Sequence, residues 1–222
     1  MEYDKVQTAT FLRRPNRFIA QVDINGEEHT VHVKNTGRCK ELLLPGASVV
    51  LAESENPGRK TRYDLIAVEK PSLGLVNIDS QAPNQVVREW LSEQRTDEIK
   101  SEYTFGKSRL DFYVRAGNEQ ILIEVKGCTL EVDGIGYFPD APTERGAKHL
   151  RELASAAALG YSCFVVFVIQ MEGVTEVRPN LITDPVFGAA WDEAKAAGVR
   201  FLFLTTSVLP EKLCFVECLE SR

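Results

Sequence analysis

The chain of 222 residues lacks the features that mark several large classes of protein. Its five cysteines are scattered and form no CxxC pair, so neither a disulfide framework nor a cysteine zinc site is expected. No apolar run approaches the roughly 20 residues that span a bilayer. The first residues, Met1–Lys5, contain no apolar signal region. We therefore expect a cytoplasmic protein that has no membrane partner.

The sequence also lacks an excess of basic residues, since its formal net charge is −6. Composition alone therefore does not indicate a strongly basic nucleic-acid-binding protein. The first 80 residues are balanced in charge, so the acidic excess lies in the rest of the chain. Carboxylates that bind a metal ion would therefore lie in that second part.

The most informative segment runs from Ser108 to Lys126 and predicts two apolar strands joined by a polar turn. Asp111 lies on the first strand, and Glu124 and Lys126 share one face of the second because they are two residues apart. Unpaired buried charge is costly, so this group indicates a site for a hard divalent cation, Mg²⁺ or Mn²⁺, with the lysine beside water or phosphate. The alternative is an exposed strand that carries an ion pair across one face.

The elements around this segment predict a mixed α/β domain with the order αβββαβ. The predicted segments are a helix after Pro83, strand Ile99–Phe105, the two strands above, helix Thr143–Leu159, strand Cys163–Ile169, helix Val186–Ala197 and strand Phe201–Thr205. This order, with the acidic pair on the second and third strands, is similar to the core of the PD-(D/E)XK nuclease superfamily. Glu89 on the first helix or Glu102 on the first strand would complete the metal shell.

The first 80 residues predict a small β-barrel of the OB type, because four or five short strands are separated by turns. Asn25-Gly26 is a hairpin signal, and Arg38–Leu44 is predicted as a short helix. The domains are therefore 1–80 and 81–222. Several basic residues of the barrel are candidates for binding nucleic acid or, equally, for a solvated surface: Arg13, Arg14, Arg17, Lys34, Arg38, Lys40, Arg59, Lys60 and Arg62.

A second basic group follows the predicted metal strand. Arg145, Lys148 and His149 share one helix face near the amino-terminal end of that helix, where backbone N–H groups favour phosphate. This group is predicted to hold a phosphate of the substrate, and Arg109 is predicted to lie along the nucleic-acid path. The alternative is pairing with neighbouring glutamates of the same helix.

Four segments together resemble the sugar fermentation stimulation protein A family over essentially the full length: Asn35–Gly46, Gly106–Phe112, Glu124–Lys126 and Phe138–Leu150. The resemblance implies an OB-like domain, a PD-(D/E)XK-like domain, and DNA binding without clear sequence preference. It also implies a link to the regulation of maltose metabolism. The literal Pro-Asp pair of the nuclease motif is absent, because Leu110 precedes Asp111.

Two functions follow from these observations. The first is a DNA-binding protein with a divalent-metal-dependent nuclease site, and the second is a non-catalytic DNA-binding regulatory factor linked to sugar metabolism. Both hypotheses have DNA as the partner, with RNA as an open alternative. The sequence leaves the oligomeric state open, with a homodimer as one alternative.

Overall fold

The computed structural model of the chain describes residues 1–35, 37–54, 56 and 58–221. Its first part contains six strands: β1 (Val6–Asn16), β2 (Ile19–Ile24), β3 (Glu27–Val33), β4 (Ser48–Glu53), β5 (Tyr63–Lys70) and β6 (Gly74–Asn77). Strand β3 pairs with β5 as well as β2, which closes β1–β5 into a barrel. Alternate side chains point into the barrel, as Val31 and Val33 do on β3. The predicted small barrel is confirmed.

Of two predictions about the loops of the barrel, one is confirmed and one is wrong. Asn25 and Gly26 both have positive φ and form the β2–β3 turn as predicted. The segment predicted as a helix over Arg38–Leu44 instead forms turns. Arg14 donates hydrogen bonds to the carbonyls of Gly37 and Arg38, which holds this loop in an irregular path. Thr36, within the quoted Asn35–Gly46 motif, lies outside the described residues.

The second part is a six-stranded sheet covered by helices. Its elements are α1 (Ala82–Ser92), β7 (Glu98–Phe105), β8 (Ser108–Ala116), β9 (Glu119–Cys128), β10 (Leu130–Val132), β11 (Ile135–Phe138), α2 (Glu144–Ala158), β12 (Ser162–Ile169), β13 (Val177–Pro179), α3 (Pro185–Ala196), β14 (Arg200–Leu209) and β15 (Lys212–Glu220). The sheet order is β15-β14-β12-β9-β8-β7. The three central strands β9, β12 and β14 are parallel, and the outer strands are antiparallel to their neighbours.

Burial on both faces explains why the central strands are nearly continuous apolar runs. Helices α2 and α3 cover one face, where Leu153 and Trp191 join the cluster around Phe167. Helix α1 covers the other face through Val86, packed in the cluster that contains Val166. Strands β6 and β15 and the small sheet β10-β11-β13 were not predicted from the sequence, because they are short or carry charged residues at a sheet edge. None of the described helices is long and apolar enough to cross a membrane.

Gln170 joins the barrel to the sheet. Its side-chain amide donates to Asn77 Oδ1 at 2.8 Å and to the Asp79 backbone carbonyl at 3.1 Å, and the backbone carbonyl of Gln170 accepts from the Asn77 N–H at 2.9 Å. The residue is 1% exposed. Since buried polar groups must find partners within the protein, this amide fixes how the end of β6 meets the end of β12.

We expect Gln170→Leu to lower the free energy of unfolding by about 2 kcal/mol, because the buried partners of the amide would lose their hydrogen bonds. Urea denaturation measures this loss. The control is Gln94→Leu, whose amide is exposed and donates to Trp90 O of the preceding helix; it should change stability by at most about 0.5 kcal/mol. Equal effects of the two substitutions would contradict the role assigned to Gln170.

Candidate metal and phosphate site

The site is formed where two neighbouring strands separate. Strands β8 and β9 pair from Ala116↔Glu119 as far as Phe112↔Ile123, and no further. Beyond that point β8 continues beside β7, while β9 continues beside β12. Asp111 and Glu124 are the first residues after the separation, one on each strand. This separation of β8 from β9, which we call the fork, therefore places the carboxylates of Asp111 and Glu124 opposite each other.

Asp111 satisfies a backbone group that the fork exposes. Its Oδ2 accepts from the Val125 N–H at 2.7 Å, and its Oδ1 accepts from the Asn84 amide of α1 at 2.8 Å. Burial raises the pKa of the Asp111 carboxyl, and the nearby charge of Glu124 raises it further. The two hydrogen bonds oppose this shift without cancelling it.

Glu124 is buried and held by two donors. Its Oε1 accepts from Lys126 Nζ at 2.5 Å and contacts His149 Nδ1, and the glutamate is 3% exposed. Burial acts to raise the pKa of Glu124, but Lys126 and His149 outweigh it and leave the pKa below its usual value. Lys126 and Glu124 share one face of β9, as the sequence predicted.

The contact with Arg145 favours one tautomer of the His149 ring. Arg145 Nε can only donate, and it donates to His149 Nε2 at 3.4 Å. Nε2 is then an acceptor, which leaves Nδ1 as the donor toward Glu124. The sequence predicted His149 as a phosphate-binding residue, but its ring is 3% exposed and contacts a carboxylate. It lies against Glu124 and also lines a hollow together with Lys107, Arg109 and Lys148.

The donor set fits a hard cation that keeps most of its ligands from water or phosphate. Glu124 Oε2 is buried and has no hydrogen-bond partner among the described residues. A buried carboxylate oxygen without a partner is costly unless something else binds it. Asp111 and Glu124 supply oxygen atoms, and Mg²⁺ commonly takes only one or two protein carboxylates. In the described ranges no three His, Cys, Asp or Glu residues form a metal-binding group.

Neither glutamate predicted to complete the metal shell joins this pair. Glu89 Oε2 accepts from the amino terminus of Met1 at 2.6 Å. Glu102 lies on β7 between Ser101 and Tyr103, which pair with Phe112 and Leu110 of β8, but its side chain is exposed and pairs with Arg109 at 3.4 Å. The sequence could not reveal this, because strand position fixes the backbone of Glu102 while its positive φ and its partner decide where the carboxylate lies.

A cleft of about 630 Å³, which we call the acidic cleft, runs between the barrel and the sheet. The sheet and its helices contribute Asp111, Glu124, Lys126, Arg145 and Asp140, and the barrel contributes Arg17, Asn35 and Ser80. Asp140 was not predicted; its Oδ2 accepts from the Arg38 N–H at 2.8 Å and holds the barrel loop at the rim. Asn84 was also missed, since a single asparagine at a helix start gives no signal of a distant partner.

A second hollow of about 340 Å³, which we call the basic hollow, adjoins the cleft through Arg145. It is lined by Lys107, Arg109, Arg145 and Lys148, among others. The structure therefore brings Arg109, Arg145 and Lys148 together beside the carboxylates. Arg38 and Lys40 are exposed on the barrel loop, where the backbone N–H of Arg38 donates to Asp140 at the cleft.

Two family profiles match the chain. One is described as the SfsA N-terminal OB domain and matches residues 12–78, and the other as the sugar fermentation stimulation protein RE domain and matches residues 81–212. A sugar fermentation stimulation protein homolog of Desulfitobacterium hafniense is 51% identical over 216 residues, which cover 96% of this chain and 94% of that protein. The corresponding homolog of Clostridium beijerinckii is 48% identical over 206 residues, 91% of each chain.

A solved structure has the same fold over both parts of the chain. It is that of Pyrococcus furiosus SfsA in complex with Ca²⁺, which is 30% identical and superposes with a TM-score of 0.85. The alignment covers 99% of this chain and 96% of that chain. The barrel followed by a helix-covered sheet is therefore shared with that protein.

We expect Asp111→Asn to raise the melting temperature in EDTA at neutral pH. A carboxyl whose pKa is raised in the folded state stabilises the fold below its unfolded pKa and loses that contribution as pH rises through the folded pKa. The gain should therefore be absent in acid, appear as pH rises through the Asp111 pKa and stay constant above it. Asp192→Asn, at an exposed helix position, is the control; a gain that is independent of pH would contradict the assignment.

Proposed function

The chain belongs to the sugar fermentation stimulation protein family, and we propose that it binds DNA without strong sequence preference and cleaves its phosphodiester bonds with a divalent metal. The observation that carries this proposal is the buried Glu124 carboxylate beside Asp111, one oxygen of which has no hydrogen-bond partner among the residues that the structure describes. The complex of the Pyrococcus furiosus relative with Ca²⁺ supports a divalent cation in the family. Mg²⁺ or Mn²⁺ is the proposed ion here, because both prefer oxygen ligands.

The arrangement supports a nuclease of the PD-(D/E)XK type with domains 1–80 and 81–222. Asp111 and Glu124 would hold the metal, which when bound polarises the phosphate and makes a bound water more acidic. Lys126, 2.5 Å from Glu124 and 14% exposed in its side chain, would orient the attacking water or the phosphate. Asn84 and His149 would fix the two carboxylates and so limit their reorganisation.

The cations beside the carboxylates support DNA as the substrate. Arg145 lines the acidic cleft and the basic hollow, and Lys148 and Arg109 lie beyond it. Pentavalent phosphorus in the transition state carries additional negative charge on its oxygens, and preorganised cations stabilise that charge. Lys148 is partly engaged, since it lies 3.7 Å from Glu152 and donates to the Lys107 carbonyl at 3.2 Å. We therefore assign the scissile phosphate to Arg145 and the flanking phosphate to Lys148 and Arg109.

Glu124→Gln should lower metal-dependent cleavage of DNA by about a hundredfold or more, because the metal loses one of two charged ligands. The assay follows labelled single-stranded, duplex and branched DNA with Mg²⁺ or Mn²⁺. DNA binding measured in EDTA should be nearly unchanged in this variant.

Glu89→Gln is the matched control, since the structure places Glu89 at the amino terminus and away from the carboxylate pair. It should cleave at the rate of the unmodified chain. If the unmodified chain binds DNA and cuts none of the three substrates with either metal, the nuclease proposal fails. The remaining function would then be the non-catalytic DNA-binding regulatory factor.

His149→Ala should weaken the affinity for Mn²⁺ by about ten- to a hundredfold, as is typical when a group that orients a metal ligand is removed. Calorimetric titration with Mn²⁺ measures this effect separately from stability. His149→Asn should restore much of the affinity, because its amide nitrogen can take the place of Nδ1. The control is His29→Ala on the barrel surface; equal losses in the alanine and asparagine variants at 149 would count against a positioning role.

A further inference from the structure

The barrel carries a third hollow, of about 380 Å³, which we call the barrel hollow. Phe18 from the β1–β2 turn, His32 and Lys34 from the end of β3, and Arg59 from the β4–β5 loop line it. Barrels of this type commonly bind oligonucleotides with the second and third strands and these same two loops. The hollow therefore lies where such a barrel would present a ligand-binding surface.

The charged groups of this hollow largely neutralise one another. Lys34 lies 2.7 Å from Asp79, while Asp64 accepts from Arg59 at 2.8 Å and from the His32 ring at 2.8 Å. Little net charge remains to attract a phosphate. The hollow instead presents an aromatic ring surrounded by polar side chains, which suits a nucleobase better than an anion.

Phe18 is the aromatic group of the hollow, and its ring is 48% exposed. The guanidinium of Arg17 lies 5.1 Å from the ring centroid. Within the described part of the chain no carboxylate forms an ion pair with Arg17. An exposed ring and an unneutralised cation thus stand next to each other, the combination that binds a base and its phosphate in single-stranded nucleic acid.

The barrel hollow adjoins the acidic cleft. Ser80 lines both, and Arg17 lines the cleft while its neighbour Phe18 lines the hollow. Arg145 in turn lines both the cleft and the basic hollow. Three adjoining depressions, which together we call the groove, therefore extend from Phe18, past Asp111 and Glu124, to Lys148.

We propose that the barrel hollow is a base-stacking subsite, at which Phe18 stacks on an unpaired base and Arg17 contacts its phosphate while the same DNA strand crosses the acidic cleft. The proposal deepens the proposed nuclease function and rests on it. A base inside a duplex already stacks on its neighbours and offers no free face, so the subsite selects a single-stranded segment.

The test measures binding in EDTA, where no metal-dependent cleavage occurs, with a labelled single strand of about 16 nucleotides and a duplex of equal length. Phe18→Leu should weaken single-strand binding about tenfold and leave duplex binding unchanged. Phe18→Trp should keep the affinity, and its emission should be quenched by the single strand. Ile182→Ala, which removes an exposed apolar side chain outside the groove, should bind as the unmodified chain does.

The salt dependence of the DNA affinity distinguishes a stacking contact from a contact between charges. Arg17→Gln should reduce the slope of log affinity against log salt by about 0.7, the value for one phosphate contact in a single strand. Phe18→Leu should shift the affinity without changing that slope.

Equal losses of single-strand and duplex binding in Phe18→Leu, or unchanged binding of both, would overturn the subsite. Cleavage assays with Mg²⁺ on the same variants keep the two proposals distinct. If Phe18→Leu binds normally while Glu124→Gln abolishes cutting, only the subsite fails. If nothing is cut yet Phe18→Leu loses the single strand selectively, only the nuclease function fails.

Discussion

The buried carboxylate of Glu124 is the constraint on which the rest of the site depends. A charged group in the middle of an apolar sheet must have partners, and two elements supply them: β9 itself with Lys126, and α2 with His149. Each of these hydrogen bonds constrains the position of the element that supplies the donor. Helix α2 must approach β9 closely enough for the imidazole to reach Oε1, and this approach also brings Arg145 to the cleft. The basic surface thus follows from the requirement to stabilise one carboxylate.

The fork has its own consequence for backbone hydrogen bonding. When β8 and β9 separate, Val125 keeps its N–H but loses a strand partner, and the Asp111 carboxylate replaces it at 2.7 Å. The same aspartate therefore stabilises the opened sheet and stands beside the second carboxylate. Its raised pKa shows that this position is electrostatically unfavourable for the ionised form. A bound cation would relieve that unfavourable charge.

The barrel and the sheet depend on each other for the groove. Gln170 joins the end of β12 to the end of β6, and Asp140 holds the barrel loop by the Arg38 N–H. These contacts set the width of the acidic cleft, one wall of which is barrel. Arg17 and Phe18 lie near the carboxylates because these contacts hold the barrel against the sheet. Although the net charge of the chain is −6, Arg17, Lys126 and Arg145 all line this cleft.

The sequence by itself determined the barrel, the αβββαβ order and the shared face of Glu124 and Lys126. Each of these follows from local periodicity and turn residues, which act within a few neighbours along the chain. The proximity of Asp111 to Glu124 was predicted from the hairpin, but the positions of the Glu89 and Glu102 carboxylates were not. Their side chains are positioned by partners far away in sequence or by an unusual φ, as the amino terminus does for Glu89. Only the tertiary structure decided the turns over Arg38–Leu44, the roles of Asn84 and Asp140, and the groove that links Phe18 to the carboxylates, because long-range hydrogen bonds and packing override local preference there.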